Sequence, residues 1–221
     1  MPRIPPVSSG ESIPGPVAQI LAALSFGERL ARRRAEENVA MAPDFRTRRH
    51  QEHVAERERE NASLLEARLT EVGSKELEEA FRPFLEAFFE HTQPSDWLEA
   101  QTWHYVGDAL VRDFADALMP TFDRISAEVT RRALAERDEQ ESFALDEIKR
   151  LVEEDPSAAE RVAAFARRVI GEALTQTRRA LDETGALKSL LGSDEVEKRV
   201  LLNLLQRHRE RLDRLGIELV D

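Results

Sequence analysis

Apolar residues recur at intervals of three and four positions through most of the chain, the spacing that gathers them on one face of an α-helix. This pattern is interrupted by residue types that end or separate helices, namely Pro43, Gly73, Pro94, Pro120 and Pro156. The pattern predicts long helices over residues 16–39, 45–72, 97–119, 121–154, 157–183 and 194–215. It also predicts a shorter helix over residues 74–90, which Pro83 can kink.

The order of these helices predicts an all-α fold. Four long helices with a short one between the second and the third match the ferritin-like topology, a four-helix bundle in which one connection crosses over. The short segment has an apolar face that includes Phe81, Phe84 and Phe88, as expected of a crossover helix packed on a bundle. The last two helices are then additional C-terminal helices that pack alongside.

The first residues differ from the rest of the chain. Residues 1–15 are rich in Pro, Ser and Gly and lack the apolar core of a signal peptide, so we expect a flexible N-terminal arm. No composition shift follows residue 16. We therefore expect residues 16–221 to form a single ferritin-like helical domain.

The composition of the chain excludes some kinds of site and argues against some kinds of partner. The 221-residue chain has a net charge of −11 and no cysteine, which excludes disulfides and thiolate metal sites and agrees with a cytoplasmic location. No apolar run approaches the roughly 20 residues that a membrane span needs, so we expect no membrane insertion. The negative charge argues against stable nucleic-acid binding. The partner is unknown, and the long charged helices fit either a homodimer or a protein partner.

Four stretches of the chain resemble one known family. They are residues 24–28 (Leu-Ser-Phe-Gly-Glu) with 41–43 (Met-Ala-Pro), 94–98 (Pro-Ser-Asp-Trp-Leu), 105–108 (Tyr-Val-Gly-Asp) and 166–176. Together they resemble the actinobacterial MiaE-like group of ferritin-like proteins. MiaE is the di-iron hydroxylase of methylthio-isopentenyl-adenosine in tRNA, so the resemblance implies a two-iron site within the bundle.

The resemblance also implies which residues would hold the metals. It places one carboxylate at Glu28, a Glu-x-x-His pair at Glu58 and Asn61, and another acid at Asp108. The carboxylate of the pair is present, but Asn61 stands where the histidine is expected.

A second acid-x-x-His pair is implied on the fourth long helix, in one of two registers. One register places the pair at Glu136 and Glu139, and the other places it at Arg137 and Gln140. Neither register supplies a histidine. If the second register holds, the Arg137 guanidinium is expected to take over the charge role of a metal and pair with an acid of the site.

Two further residues lie near the implied site. His104 is four residues before Asp108 on the same helical face, although ordinary packing beside Trp103 also explains it. Glu172 falls within the stretch 166–176, where a structural hydrogen-bonding role is the simpler interpretation.

The missing histidines decide the functional expectation. Carboxylates bridge two iron ions, and imidazoles set the geometry and redox behaviour of such a centre. We therefore expect a degenerate di-iron site, no cofactor, no assignable catalytic residue, and a binding or structural role. The alternative is a metal-dependent hydroxylase of modified tRNA or another substrate. It would use iron or another divalent metal, since carboxylates alone favour Mg, Ca or Mn.

Overall fold

The computed structural model describes residues 15–70, 75–135 and 137–216 and contains no β-strand within them, so the all-α prediction is confirmed. The helices are α1 (Gly15–Asn38), α2 (Phe45–Thr70), α3 (Arg82–His91), α4 (Trp97–Leu118), α5 (Arg124–Ala133), α6 (Arg137–Glu154), α7 (Ala158–Thr184), α8 (Ala186–Leu191) and α9 (Asp194–Arg214). Short 3-10 segments cover Val39–Met41, Lys75–Ala80 and Met119–Thr121.

The bundle consists of two antiparallel pairs. A short turn joins α1 to α2, and a side chain near the middle of α1, Glu28, meets Asn61 in the second half of α2. In the second pair α4 packs against α6, where Arg112 contacts both Asp138 (2.5 Å) and Glu141 (2.6 Å). The helix α3 crosses from one pair to the other, as predicted, and packs on α1 and α7.

The fourth long helix, predicted over residues 121–154, is in fact two helices. The helix α5 ends at Ala133 and α6 begins at Arg137, with a turn at Leu134 and Ala135. The Ala135 N–H donates to the Arg132 carbonyl three residues back, which tightens the end of α5. Both halves still pack on α2: Arg68 contacts Asp123 just before α5 (3.2 Å), and Arg57 contacts α6. The break therefore leaves the bundle topology unchanged.

The crossover segment also differs from the prediction. Instead of one helix over residues 74–90, Lys75–Ala80 is a 3-10 segment and α3 follows it. Pro83 lies in the first turn of α3, where a missing N–H breaks no intrahelical bond, so it does not kink a helix.

Capping side chains fix the starts of two bundle helices. Asp44 accepts a hydrogen bond from the Thr47 N–H (2.8 Å) ahead of α2, and Asp96 accepts one from the Glu99 N–H (3.0 Å) ahead of α4. Gly73, the expected end of the second helix, lies outside the described residues. So does the expected N-terminal arm, except for Gly15, which begins α1.

The C-terminal helices pack on the bundle as expected. The helix α7 runs along α4, and α9 is tied to α4 by Arg207 and Arg211, which both bind Asp113 (2.8 and 2.6 Å). None of the described helices is long and apolar enough to cross a membrane.

Candidate functional site

The three acids singled out from the sequence all lie in the protein interior. Glu28 is 1% exposed, Glu58 2% and Asp108 4%. Glu28 follows Leu24 by four residues and Glu58 follows Val54 by four, so each acid shares the buried apolar face of its helix. The sequence pattern that buries these faces therefore also buries the carboxylates.

The first of two side-chain amides that donate to these carboxylates is on α2. The Asn61 side-chain amide donates a hydrogen bond to Glu28 Oε2 at 3.2 Å. Asn61 stands at the position where the resemblance places a histidine, three residues after Glu58. It thus contacts the carboxylate of the opposite helix.

The second side-chain amide that donates to one of these carboxylates is on α6. The Gln140 side-chain amide donates to Asp108 Oδ2 at 2.6 Å, and Gln140 is only 2% exposed. The structure therefore favours the register that places Arg137 and Gln140 at the implied pair. The Arg137 side chain lies outside the described residues, so its expected ion pair stays a prediction.

The other register, which places the pair at Glu136 and Glu139, requires Glu139 to be buried, and it is not. Its side chain is 72% exposed, and its Oε2 lies 3.8 Å from Nη1 of the buried Arg57. The interior position belongs to the next residue, Gln140, and adjacent residues on a helix point about 100° apart, so Glu139 cannot share it. Its expected place among the interior acids is wrong. Glu136, the other member of that register, lies outside the described residues.

His104 is the centre of a buried polar cluster, here called the His104 cluster: Asn38, Gln51, His104, Asp108 and Gln140. His104 is 3% exposed, and its Nδ1 lies 3.0 Å from Asp108 Oδ2. Its Nε2 lies 2.9 Å from the Gln51 amide nitrogen and 3.4 Å from that of Asn38. His104 Nδ1 also lies 2.8 Å from the Gln140 amide nitrogen, so both ring nitrogens have amide N–H₂ groups beside them.

The sequence reasoning missed two members of this cluster, Asn38 and Gln51. Gln51 is fully buried and precedes Glu58 by seven residues, two helical turns, so the two share one face of α2. This spacing from a candidate ligand was the feature of the sequence that could have identified Gln51. Asn38, at the end of α1, has no such marker.

His50 lies on α2 beside the His104 cluster. Its ring stacks on Phe143 at 3.5 Å between centroids, and burial lowers its pKa to about 4, with smaller contributions from His104 and Arg57. His53, one turn later, is exposed. The two histidines therefore face different surroundings.

Glu172 hydrogen-bonds to residues other than the three acids. On α7 its Oε1 is 2.9 Å from His91 Nδ1 at the end of α3, and it accepts a hydrogen bond from the Gln176 amide at 2.6 Å. These contacts join α7 to α3. They agree with a structural hydrogen-bonding role.

Glu28 and Asp108 also border an environment of a different kind. A cavity of about 170 Å³, here called the apolar cavity, lies between α1, α3, α4 and α7. Its wall is mostly aliphatic and aromatic, with Phe84 and Phe88 from α3 facing Leu24 from α1. Glu28 and Asp108 lie on this wall.

Arg34 and Trp103 contact the C-terminal end of α3, the helix that forms part of the cavity wall. The Arg34 guanidinium donates to the Phe89 and Thr92 carbonyls at the end of α3 and lies 4.8 Å from the Trp103 ring. Burial lowers the Arg34 pKa to about 10, with Glu37 and Asp108 acting in the opposite direction. Trp103 in turn donates its indole N–H to the Thr92 hydroxyl at 3.1 Å.

The donor chemistry of this interior does not fit a di-iron centre. Within residues 15–70, 75–135 and 137–216, no three or more His, Asp or Glu side chains are grouped so that they could hold a metal ion. At both expected histidine positions an amide stands in place of the imidazole; its N–H₂ donates to the carboxylate, and it offers an iron ion no imidazole nitrogen.

Two comparisons with known proteins bear on the family. A family model described as a ferritin-like domain of actinomycetes matches residues 14–194. No curated protein matches the chain.

Proposed function

The chain belongs to the actinomycete family of ferritin-like domains, and we propose that it is a MiaE-like member whose di-iron centre has decayed. In this proposal it binds no iron or other divalent metal at the bundle centre. It acts as a binding or structural protein rather than as a hydroxylase.

One observation carries the proposal: an amide donates to a carboxylate at each of the two expected histidine positions. Asn61 donates to Glu28 at 3.2 Å, and Gln140 donates to Asp108 at 2.6 Å. A buried carboxylate needs either a cation or hydrogen-bond donors to offset the loss of hydration. Here amide donors supply part of that compensation on both carboxylates.

Within the part of the chain that the structure describes, one imidazole contacts these acids, and it supports the same conclusion. His104 Nδ1 lies on Asp108, and its Nε2 faces the amides of Gln51 and Asn38. Both ring nitrogens thus have hydrogen-bonding neighbours. Using His104 as a metal ligand would require removing an amide or the Asp108 contact, and would leave buried polar groups without partners.

The alternative, a metal-dependent hydroxylase, requires a set of ligands that collects on one ion. Glu28 and Asp108 could contribute oxygens, but Glu139 is exposed and each of the two carboxylates accepts from an amide. No arrangement of the described residues favours this alternative. A cytoplasmic location and a homodimer or protein partner remain predictions.

The experiment is a test of oxygen activation. The protein, purified without chelators, is loaded with ferrous iron under anaerobic conditions and then exposed to oxygen. We expect no bridged di-ferric absorption band and no oxygen consumption beyond that of iron in buffer, because the donor set for two irons is missing.

The matched control is an Asp108→Asn variant, which removes one candidate ligand while keeping the side-chain shape. Equal, substoichiometric iron in both proteins would identify adventitious surface binding. Two irons per chain with a di-ferric band in the wild type, lost in Asp108→Asn, would overturn the proposal and favour the hydroxylase.

A further inference from the structure

We propose that the apolar cavity is a binding site for a small uncharged apolar molecule of about the size of an alkylbenzene. This inference rests on the proposed role as a binding protein, and it names the ligand class. It follows from the volume of the cavity, from the hydrogen bonds of the polar groups on its wall, and from the arginines that already contact its aromatic rings.

The volume sets the ligand size. At about 170 Å³ the cavity is slightly larger than an engineered apolar cavity of about 150 Å³ that stays dry and binds benzene. It therefore suits a molecule of about six to ten non-hydrogen atoms. The wall follows α1 from Ile20 to Ala31 and α4 from Trp103 to Phe114, which is about 16 Å along each helix. A ring that carries a short alkyl chain fits such a space.

The polar side chains of the wall already have partners. Glu28 accepts a hydrogen bond from the Asn61 amide, and Asp108 accepts one from the Gln140 amide. Both acids are almost fully buried, at 1% and 4% exposure, so their carboxylates present little surface to a ligand. None of the described wall residues has a buried side-chain nitrogen or oxygen that lacks a hydrogen-bond partner. The wall therefore has no buried polar group that a ligand must satisfy.

The aromatic rings of the wall already contact cations. The Arg34 guanidinium lies 4.8 Å from the Trp103 ring and 4.8 Å from the Phe89 ring, and the Arg179 guanidinium lies 5.2 Å from the Phe84 ring. These contacts use the attraction of a ring face for a cation, and a second positive charge beside them would be repelled. The rings therefore do not favour a cationic ligand.

Apolar contact remains as the source of binding free energy. Atoms that border a void lose dispersion contacts on that side, and a ligand that fills the space restores them. The ligand also removes its own apolar surface from water. A molecule with these properties binds only the folded chain, so its binding should raise Tm with increasing ligand concentration.

Gly27 provides the means to close the cavity without disturbing its walls. It lies on the cavity wall, and a Cβ built on it meets no atom within 4 Å. A larger side chain there would occupy the space left for a ligand. Gly171 on α7 is also a mid-helix glycine with nothing within 4 Å of a built Cβ, but it is exposed and is not part of the wall.

The test uses three isosteric probes, ethylbenzene, benzyl alcohol and benzylamine, which end in a methyl, a hydroxyl and an ammonium group. Binding to the full chain is measured by calorimetry and by the rise in Tm. We expect ethylbenzene to bind at least about tenfold more tightly than benzyl alcohol, because the hydroxyl loses its hydration on entering an apolar space. Benzylamine is expected not to bind, because burial of its charge costs more.

Two variants and one control locate the site. Gly27→Leu fills the cavity from α1 and should abolish ethylbenzene binding, whereas Gly171→Leu, the matched control, should bind ethylbenzene as the wild type does. Ala173→Leu fills the cavity from α7, since Ala173 is also part of the wall, and it should abolish binding as well. If Gly27→Leu fails to fold, Ala173→Leu and the probe series still decide the question.

Each outcome separates this inference from the proposed function, since ethylbenzene binding and iron loading are measured independently. Failure of ethylbenzene to bind the folded, iron-free protein overturns the cavity site and leaves the loss of the di-iron centre standing. Benzylamine binding as tight as that of ethylbenzene overturns the uncharged ligand class. Ethylbenzene binding that survives both Gly27→Leu and Ala173→Leu overturns the location. Ethylbenzene binding to a protein that holds two irons would instead support the cavity and refute the proposed function.

Discussion

Two regions of the interior meet at Asp108 and differ in how they are filled. On one side is the His104 cluster, where amides, an imidazole and a carboxylate contact one another at 2.6–3.4 Å. On the other side is the apolar cavity, where aromatic and aliphatic side chains leave about 170 Å³ open.

The contrast follows from the forces involved. Hydrogen bonds are directional and short, and a buried polar group left without a partner costs about 1–3 kcal/mol, so a polar interior needs each partner in place. Apolar contacts have no directional requirement, so a wall of phenylalanines can be stable around empty space, at a cost that grows with its volume. Loss of a metal from such a bundle therefore calls for new hydrogen-bond donors on the polar side and leaves the apolar side unchanged.

The largest expected effect is from removal of the centre of the polar side. His104→Leu leaves the amides of Gln51 and Asn38 and the Asp108 carboxylate without their shared partner, so we expect a loss of at least about 3 kcal/mol in the free energy of unfolding. On the cavity wall, Ile170→Val should cost only about 0.5–1.5 kcal/mol. Urea denaturation of both variants measures the difference, and equal losses would contradict the comparison.

Much of the fold could be predicted because its signals are local. The order of the helices and the position of the crossover follow from apolar spacing interrupted by residues such as Pro43 and Pro94. The break between α5 and α6 could not be predicted, because residues 133–137 read Ala-Leu-Ala-Glu-Arg, all strong helix formers. That break is an effect of tertiary structure on a sequence that locally favours a helix.

The site was predictable to a smaller extent. The burial of Glu28, Glu58 and Asp108 follows from helical periodicity, whereas the expectation that they share one site came from the family resemblance and stays a prediction. Asn38 carries no such signal and Gln51 carries only its spacing from Glu58, because an amide on a helix is usually exposed. Their role depends on long-range contacts that only the folded chain brings together.

The second-largest expected effect is a loss of folding stability at acidic pH. The folded-state pKa of His50 is lowered from 6.5 to about 4 by burial, so between these pH values the unfolded chain binds a proton that the folded chain does not. Stability contributed by neutral His50 is therefore complete above pH 6.5 and is lost as the pH falls towards 4, by less than the roughly 3 kcal/mol of an unscreened shift, because the ring is partly exposed to solvent.

His50→Phe keeps a ring to stack on Phe143 and removes this titration, so its stability should fall less steeply with acid than that of the wild type. His208, whose pKa burial also lowers to about 4, should maintain part of the slope. The exposed His53 supplies the control, as His53→Gln should retain the wild-type slope. The free energy of unfolding of each protein is measured from pH 7 to 4. If it depends on pH in His50→Phe as steeply as in the wild type, His50 is not the group that titrates.

The smallest effect compares two glycines in helix interiors. A Cβ at Gly27 meets nothing within 4 Å on the cavity side, whereas a Cβ at Gly107 would lie 3.1 Å from Trp103 Cε2. Gly27→Ala should therefore stabilise the protein by about 1 kcal/mol through helix propensity, a rise of roughly 2–4 °C in Tm. Gly107→Ala should lose that gain to crowding of about 1–3 kcal/mol. The two Tm shifts should have opposite signs, and a rise in both would show that the Trp103 ring can move to admit the added methyl group.

The most direct test of the central claim compares iron binding by the wild type and by an Asn61→His/Gln140→His double variant. Both proteins are loaded with ferrous iron under identical anaerobic conditions, desalted, and analysed for iron per chain. Because amides stand at both positions where imidazoles are expected, the wild type should retain no stoichiometric iron, and the double variant should retain clearly more. Two irons per wild-type chain, or no gain in a folded double variant, would contradict the claim that Asn61 and Gln140 stand where metal ligands were lost.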